Sequence, residues 1–335
     1  MAFEYTNKND ISLPLAVFLM YDKYKYDERP NVISATGLIK PIRQTILVKQ
    51  NPTEAKNVDI SELVASRMGN AIHKGCETAW TDPDTIKKAL KLFGMSEDAA
   101  NGVKINPPYL KDGETAVYVE QRVEKEVPDV KDASGAPFIV SGQYDLVLDG
   151  TLNDFKSTSV WAYIFESNVD SYIKQGSIYK WLSPDKITSD YINISYIFTD
   201  WSSTRAREKK DYPQFKAITR KYALWSVEET ENWIKNRVEA LINLWDTPQE
   251  GLPECTEEEL WATEAKYKHY KDSNSTRATN GGTFTSMDDA LKFQGQKGGG
   301  IIKTIPGEVK HCRYCPIQPI CTQSQKYLDD GRLML

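Results

Sequence analysis

Two carboxylates and an ammonium group stand close together in the run SGQYDLVLDGTLNDFKST, residues 141–158: Asp145, Asp154 and Lys156. Asp149-Gly150 separates two β-like stretches and is a strong two-residue hairpin signal, because both residues tolerate the positive φ such a turn needs. Counting outward sets Leu148 against Thr151, Val147 against Leu152, Leu146 against Asn153 and Asp145 against Asp154. The two carboxylates are then expected on one face, roughly 5 Å apart between Cβ atoms. Lys156, two residues past Asp154, points to that same face. Like charges opposed in this way destabilise a sheet, and a divalent cation removes the conflict. Mg²⁺ and Mn²⁺ take hard oxygen ligands and keep positions for water and a phosphate. Such a cation polarises a phosphodiester and acidifies a bound water, while a neighbouring ammonium steadies developing negative charge. The bland alternative is a solvated surface hairpin.

Two helical patterns accompany the hairpin. GNAIH supplies Gly69 and His73, and Glu77 follows four residues later on the same helical face. A neutral imidazole is a reasonable ligand for Mn²⁺, and Glu77 could contact the metal or hold a water. QGSIYKWL supplies Gln175 and Tyr179, again four apart, with groups able to hydrogen-bond a DNA backbone or metal-bound carboxylates.

Taken together, Gly69 and His73, Gly142 and Asp145, Asp154 and Lys156, and Gln175 and Tyr179 resemble the RecB-type branch of the PD-(D/E)xK nucleases, over about residues 65–200. The resemblance implies a restriction-endonuclease-like α/β core, with a central mixed β-sheet flanked by helices. It also implies two-metal-type cleavage of DNA. Asp145, Asp154, Lys156, Gln175 and Tyr179 are then the expected catalytic set, and His73, Asp145, Asp154 and Glu77 the expected Mg²⁺ or Mn²⁺ ligands.

HCRYCPIQPIC brings Cys312, Cys315 and Cys321 together with spacing C-x₂-C-x₅-C. Thiolates in such number suit an iron–sulfur cluster or tetrahedral zinc. The spacing is similar to the C-terminal half of the four-iron four-sulfur (4Fe–4S) cysteine set of AddB-type and CRISPR-associated nucleases, which favours the cluster. In those relatives the fourth cysteine precedes the core, in a segment similar to ISATGLIKPIR, where this chain has Lys40-Pro41. Cys255 is the better candidate for the fourth ligand, and Cys76, beside His73, is expected to be buried instead.

These motifs need elements to carry them. Helices are expected over 60–79, 84–94, about 166–182 and 226–246, and strands over 115–127, 138–148, 151–157 and 192–199. That alternation fits an α/β fold. Three segments follow: 1–60 packing on the core, 61–249 as the nuclease core, and 250–335 as a small metal-stapled appendage. The segment 201–221 carries Arg205, Arg207, Lys209, Lys210, Lys216, Arg220 and Lys221 and could track phosphates. Trp161, Tyr163, Trp181 and Trp201 are candidates for stacking unpaired bases.

The chain has 335 residues, 40% of them hydrophobic, and a formal net charge of −5. It can build a packed core, and its bulk charge gives no sign of a nucleic-acid partner. Its longest apolar run, Leu13 to Met20, is too short to span a bilayer, and its first residues lack a secretory signal. The expectation is a cytoplasmic enzyme (in the host cytoplasm if phage-encoded). It would act on DNA single strands or duplex ends without a membrane, alongside a recombination or replication partner. An exonuclease is the leading reading. The rivals are a structure-specific or nicking endonuclease, cleavage of RNA, and a non-catalytic DNA-binding protein of the same fold. No G-x-x-x-x-G-K-[ST] loop is present, so ATP is not an expected cofactor.

Overall fold

The computed structural model describes residues 4–22, 27, 29–53 and 57–335. The chain divides into two units, one of residues 5–39 and 59–242, the other of residues 1–4, 40–58 and 243–335.

The first unit contains α1 (Leu13–Met20), β1 (Val32–Ser34), α2 (Ala35–Ile39), α3 (Val64–Ala79), α4 (Pro83–Leu92), β2 (Val103–Ile105), β3 (Thr115–Lys131), β4 (Pro137–Leu148) and β5 (Thr151–Thr158). It continues with α5 (Val160–Ile164), α6 (Val169–Leu182), β6 (Tyr191–Phe198), α7 (Ser203–Glu208), β7 (Ala217–Ala223) and α8 (Val227–Asn243). The expected elements are present with modest shifts of boundary. A 3-10 turn opens the helix expected from residue 60, the helix expected at about 166–182 is α6, and the short α5 before it was not expected. The basic segment 201–221 contains α7 and most of an edge strand, β7. Along β7 burial alternates at period two, with Ile218, Arg220 and Tyr222 on the half-buried face and Thr219 and Lys221 on the exposed one, so an arginine among the inward positions masks the strand signal.

The central sheet is mixed, in the order β2-β3-β4-β5-β6-β7, with β1 pairing β4 in addition. The fold is thus α/β, a mixed sheet with helices about it. β3 covers one edge of β4 along nearly its whole length, from Leu148 down to Ile139. The opposite edge is shared: β1 pairs there in parallel with Ile139–Ser141, and β5 pairs antiparallel with Leu146–Leu148. Residues 142–145 therefore lie on a stretch of edge without a ladder partner.

The hairpin tip obeys the expected count. Leu148 pairs with Thr151, Val147 with Leu152 and Leu146 with Asn153. Asp149 and Gly150 hold φ of 47° and 71°, the pair of positive values that a twist-matched two-residue turn requires. The fourth expected pair does not form a ladder rung. Beyond Asn153, β5 leaves β4 and runs parallel to β6, setting Asp154 beside Ile194 and Lys156 beside Tyr196. Apolar contacts anchor this arrangement: Tyr144, Val147, Leu152, Ile178, Trp181, Ile192 and Ile194 are buried. Trp181 is therefore a core residue, fully enclosed, and is withdrawn as a base-stacking candidate.

In the second unit, Lys266–Tyr270 pairs antiparallel with both Thr283–Phe284 and Ile301–Ile305, with helix Met287–Gln296 between the last two. Leu260, Val309, Cys312 and Leu333 form a separate small core. No helix among the described residues is long and apolar enough to cross a membrane.

Candidate functional site

A cavity of about 520 Å³ opens at the uncovered stretch of β4. It is lined by His73 and Glu77 of α3, Asp145 of β4, Asp154 and Lys156 of β5, and Gln175 and Tyr179 of α6. Four separate elements thus deliver the residues that sequence spacing had grouped. Close approach of helix to sheet makes this possible. A Cβ on Gly142 would stand 2.8 Å from the Tyr179 ring and 2.9 Å from Leu182, so only glycine lets α6 settle against β4 here.

The carboxylates are held in different ways. Asp145 Oδ2 accepts the Phe155 N–H at 3.1 Å, and this bond takes the place of the missing ladder rung. The same oxygen lies 3.1 Å from Nδ1 of His73. That hydrogen bond raises the His73 pKa, against an opposing effect of burial. Two lone-pair donors so close need a cation between them, whether a proton or a metal ion.

Asp154 is 4% exposed. Its Oδ2 lies 2.7 Å from the Lys156 ammonium, an ion pair at the wall of the cavity. Burial raises the Asp154 pKa, Lys156 opposes the rise, and the Asp145 charge adds to it. Burial works against the Lys156 ammonium, but Asp154 more than offsets it, and the pKa of Lys156 ends above its ordinary value. The ammonium also donates to Gln175 Oε1 at 3.5 Å, and Gln175 Nε2 donates to Tyr179 Oη at 2.9 Å. In this arrangement Gln175, itself held by Tyr179, orients Lys156.

Glu77 lines the cavity but is drawn toward Lys74, at 2.6 Å. A residue not singled out from sequence takes the nearer place. Ligand atoms of His73, Glu120 and Asp145 all lie within 4.8 Å of one another. Glu120 sits in the middle of β3 with φ of 50°, a left-handed conformation that costs a non-glycine residue on the order of 1 kcal/mol. Val119 pairs with Leu146 and Gln121 with Tyr144, so Glu120 falls opposite Asp145 without a rung of its own. Gln143 Nε2 donates to its Oε2 at 2.7 Å, while burial and then the Asp145 charge raise its pKa. The signal available in sequence was a lone glutamate in the run VYVEQRV. The β3–β4 register could not be counted, because the ladder shifts between Glu126 and Lys131.

Arg205, Arg207, Lys209 and Lys210 are exposed, on α7 and just after it, and none lines the cavity. Arg220 is engaged by Glu166 at 2.6 Å and stacks over Tyr163 at 4.1 Å. Trp161 and Phe165 stack on each other, 5.9 Å between centroids, and both are exposed. Trp201 donates its indole N–H to the Pro213 carbonyl, and Tyr163 packs edge-on against Tyr196 and Phe198.

The second unit holds the cysteines. Cys255, Cys312, Cys315 and Cys321 line one small pocket together with Pro41, Arg43 and Gln44. All five cysteines are free thiols, and Cys76, expected to be buried, is half-buried on α3 in the other unit. Short turns set the spacing: the Cys315 N–H donates to the Cys312 carbonyl and the Cys321 N–H to Gln318. Gln323 fixes the fourth member, accepting the Cys255 N–H at 2.8 Å and donating to its carbonyl at 3.0 Å. Burial pushes the Cys255 thiol up to about 12 and Cys312 up to about 11, with neighbouring cysteines adding to both.

No family model matches the sequence, and no curated protein matches it. Among solved structures the chain is similar to SSO0001, at 15% identity and TM-score 0.40 over 67% of this chain and 81% of that one. It is also similar to a phage-related exonuclease from Haemophilus somnus 129PT, at 17% identity and TM-score 0.26. That match covers 40% of this chain and 62% of the exonuclease.

Proposed function

We propose that this protein is a metal-dependent DNA nuclease of the PD-(D/E)xK type, built on a restriction-endonuclease-like core of the RecB branch and acting as an exonuclease. The observation that carries the reading is that ligand atoms of His73, Glu120 and Asp145 lie within 4.8 Å of one another, in the cavity that Asp154 and Lys156 also line. Three carboxylates gathered in one cavity repel one another, and a bound cation relieves that repulsion. Asp145, Asp154 and His73 offer a hard-oxygen and imidazole set suited to Mg²⁺ or Mn²⁺, and Glu120 adds a further carboxylate. A cation bound there would polarise the scissile phosphate and acidify a water.

The rest falls to the chain's own groups. Lys156, held by Gln175 at the edge of the cavity, donates to the oxygen on which negative charge develops. The Phe155 N–H keeps the Asp145 carboxylate aimed inward. Exposed Arg205, Arg207, Lys209 and Lys210 supply phosphate contacts, and the stacked pair Trp161 and Phe165 offers a face to unpaired bases. In the second unit, the four pocket cysteines hold a metal centre, a 4Fe–4S cluster in preference to zinc.

The test uses purified full chain with Mn²⁺ and DNA substrates. End-labelled linear DNA should be degraded progressively and closed circular DNA left intact, with both reactions stopped by chelation. Cutting of the circle would replace the exonuclease by a nicking or structure-specific endonuclease. Degradation of RNA alone would move the substrate class. Loss of all cleavage, with Asp154→Ala binding DNA as the parent does, would leave a non-catalytic DNA-binding protein.

A further inference from the structure

The helix Ile42–Gln50 places one side chain against the cysteine pocket in a manner that packing alone does not require. Arg43 is 4% exposed. Its Nε donates to Cys321 Sγ at 3.5 Å, and Nη2 donates to Thr322 Oγ1 at 2.8 Å. Nη1 donates to the Gln249 and Leu252 carbonyls at 2.9 and 3.2 Å. Among the described residues no carboxylate forms an ion pair with it. A guanidinium cannot shed its proton, so enclosing it without an anion is costly. Neutral carbonyls and a hydroxyl offset part of that cost, and the sulfur is what remains.

We infer that Arg43 is the fixed counter-charge of a thiolate-bound metal centre in this pocket, an inference that rests on the four cysteines being its ligands. Four thiolates around a doubly charged 4Fe–4S core, or around Zn²⁺, leave two net negative charges. Burying such a dianion is unfavourable in the same measure that burying Arg43 is, and placing one against the other relieves both. His311 lines the pocket with its Nε2 against Gln44 Oε1. Lys40 favours the Cys315 thiolate and Glu259 opposes that of Cys255, while Arg43 Nε donates directly to Cys321 Sγ. Arginine suits the place because its planar fork reaches sulfur, hydroxyl and carbonyls at once, which a lysine ammonium cannot.

The test compares the full chain with Arg43→Met, Arg43→Gln and Arg43→Lys. Iron and zinc per chain are measured first, then the rate at which metal passes to an excess of chelator. The neutral variants should lose metal roughly 10–100-fold faster, the range found when a partner of a ligand is removed. Arg43→Lys, which keeps the charge, should stay within about threefold of the parent. If the metal is iron, neutral variants should also take up an electron less readily. Each tenfold change there is about 59 mV for a one-electron couple. Parent-like release from a neutral variant, or release from Arg43→Lys as fast as from Arg43→Met, overturns the counter-charge. A parent chain that holds neither metal after reconstitution overturns the ligand reading as well. A metal-loaded parent with an indifferent Arg43→Met overturns Arg43 alone. Circular dichroism identifies a variant that has not folded, and the other neutral variant then decides.

Discussion

The carboxylate hairpin and the cysteine pocket both enclose groups that water would otherwise solvate, and they balance charge in opposite ways. In the hairpin the compensating cation is local: Lys156 sits two residues beyond Asp154 on the same strand, at 2.7 Å. In the pocket it is remote, since Arg43 and Cys321 are separated by 278 positions. Pleat geometry makes the first pairing follow from spacing, whatever the rest of the chain does. The second exists only after the segment 40–58 and the C-terminal stretch have folded as one unit. A motif with its own counter-ion can be transplanted between sequences more freely than one that borrows it.

The comparison is broken most sharply at Asp154. Asp154→Asn should lower Mn²⁺-supported cleavage on the order of 10³-fold, as measured on labelled linear DNA, because it removes a cation ligand at the reaction centre. Retention of a tenth of parental activity would remove Asp154 from the centre. Next comes Cys255→Ser, expected to empty most of the pocket's metal and to lower the melting temperature by about 5 °C or more. Unchanged metal content would show that three cysteines suffice. A smaller effect is expected at Glu120. Glu120→Gln should weaken Mn²⁺ binding about tenfold, read by titration. Glu120→Gly should do the same while adding about 1 kcal/mol of stability, since glycine accepts the left-handed backbone at no strain.

The smallest effect is one of pH. Burial raises the Asp154 pKa in the folded chain. A carboxylate shifted upward contributes stability that is present below its unfolded value and lost as pH rises through the folded value. The contribution of Asp154 to the stability of the cation-free protein should therefore fall from acid toward neutral pH, and Mn²⁺ should restore it. The Mn²⁺-induced rise in melting temperature should thus grow with pH across that window. A rise that is the same at every pH would remove the link between Asp154 and the cation.

How much could be read beforehand follows the same division. The hairpin register was legible because Asp149-Gly150 fixes it within a few residues, and His73, Gln175 and Tyr179 followed from helical spacing. Glu120 was not legible, since its position depends on a ladder that slips between Glu126 and Lys131. β7 was hidden because Arg220 stands between Ile218 and Tyr222 on the half-buried face, with Lys216 and Lys221 adding charge around them. The grouping of Cys312, Cys315 and Cys321 needed only their spacing, whereas the place of Arg43 beside them is purely tertiary. The last expected rung of the hairpin was missed for a further reason: a side chain, Asp145, takes the backbone N–H of Phe155 that a strand partner would have taken.

The two-residue turn at Asp149-Gly150 also acts as a length standard for the gene. One codon inserted there would advance β5 by a single position and turn Asp154 and Lys156 to the opposite side of the sheet. A codon inserted near Asp132–Ala136 would meet a junction that already absorbs a slip. Lineages descending from this sequence should accumulate insertions and deletions at the second turn and almost none at the first.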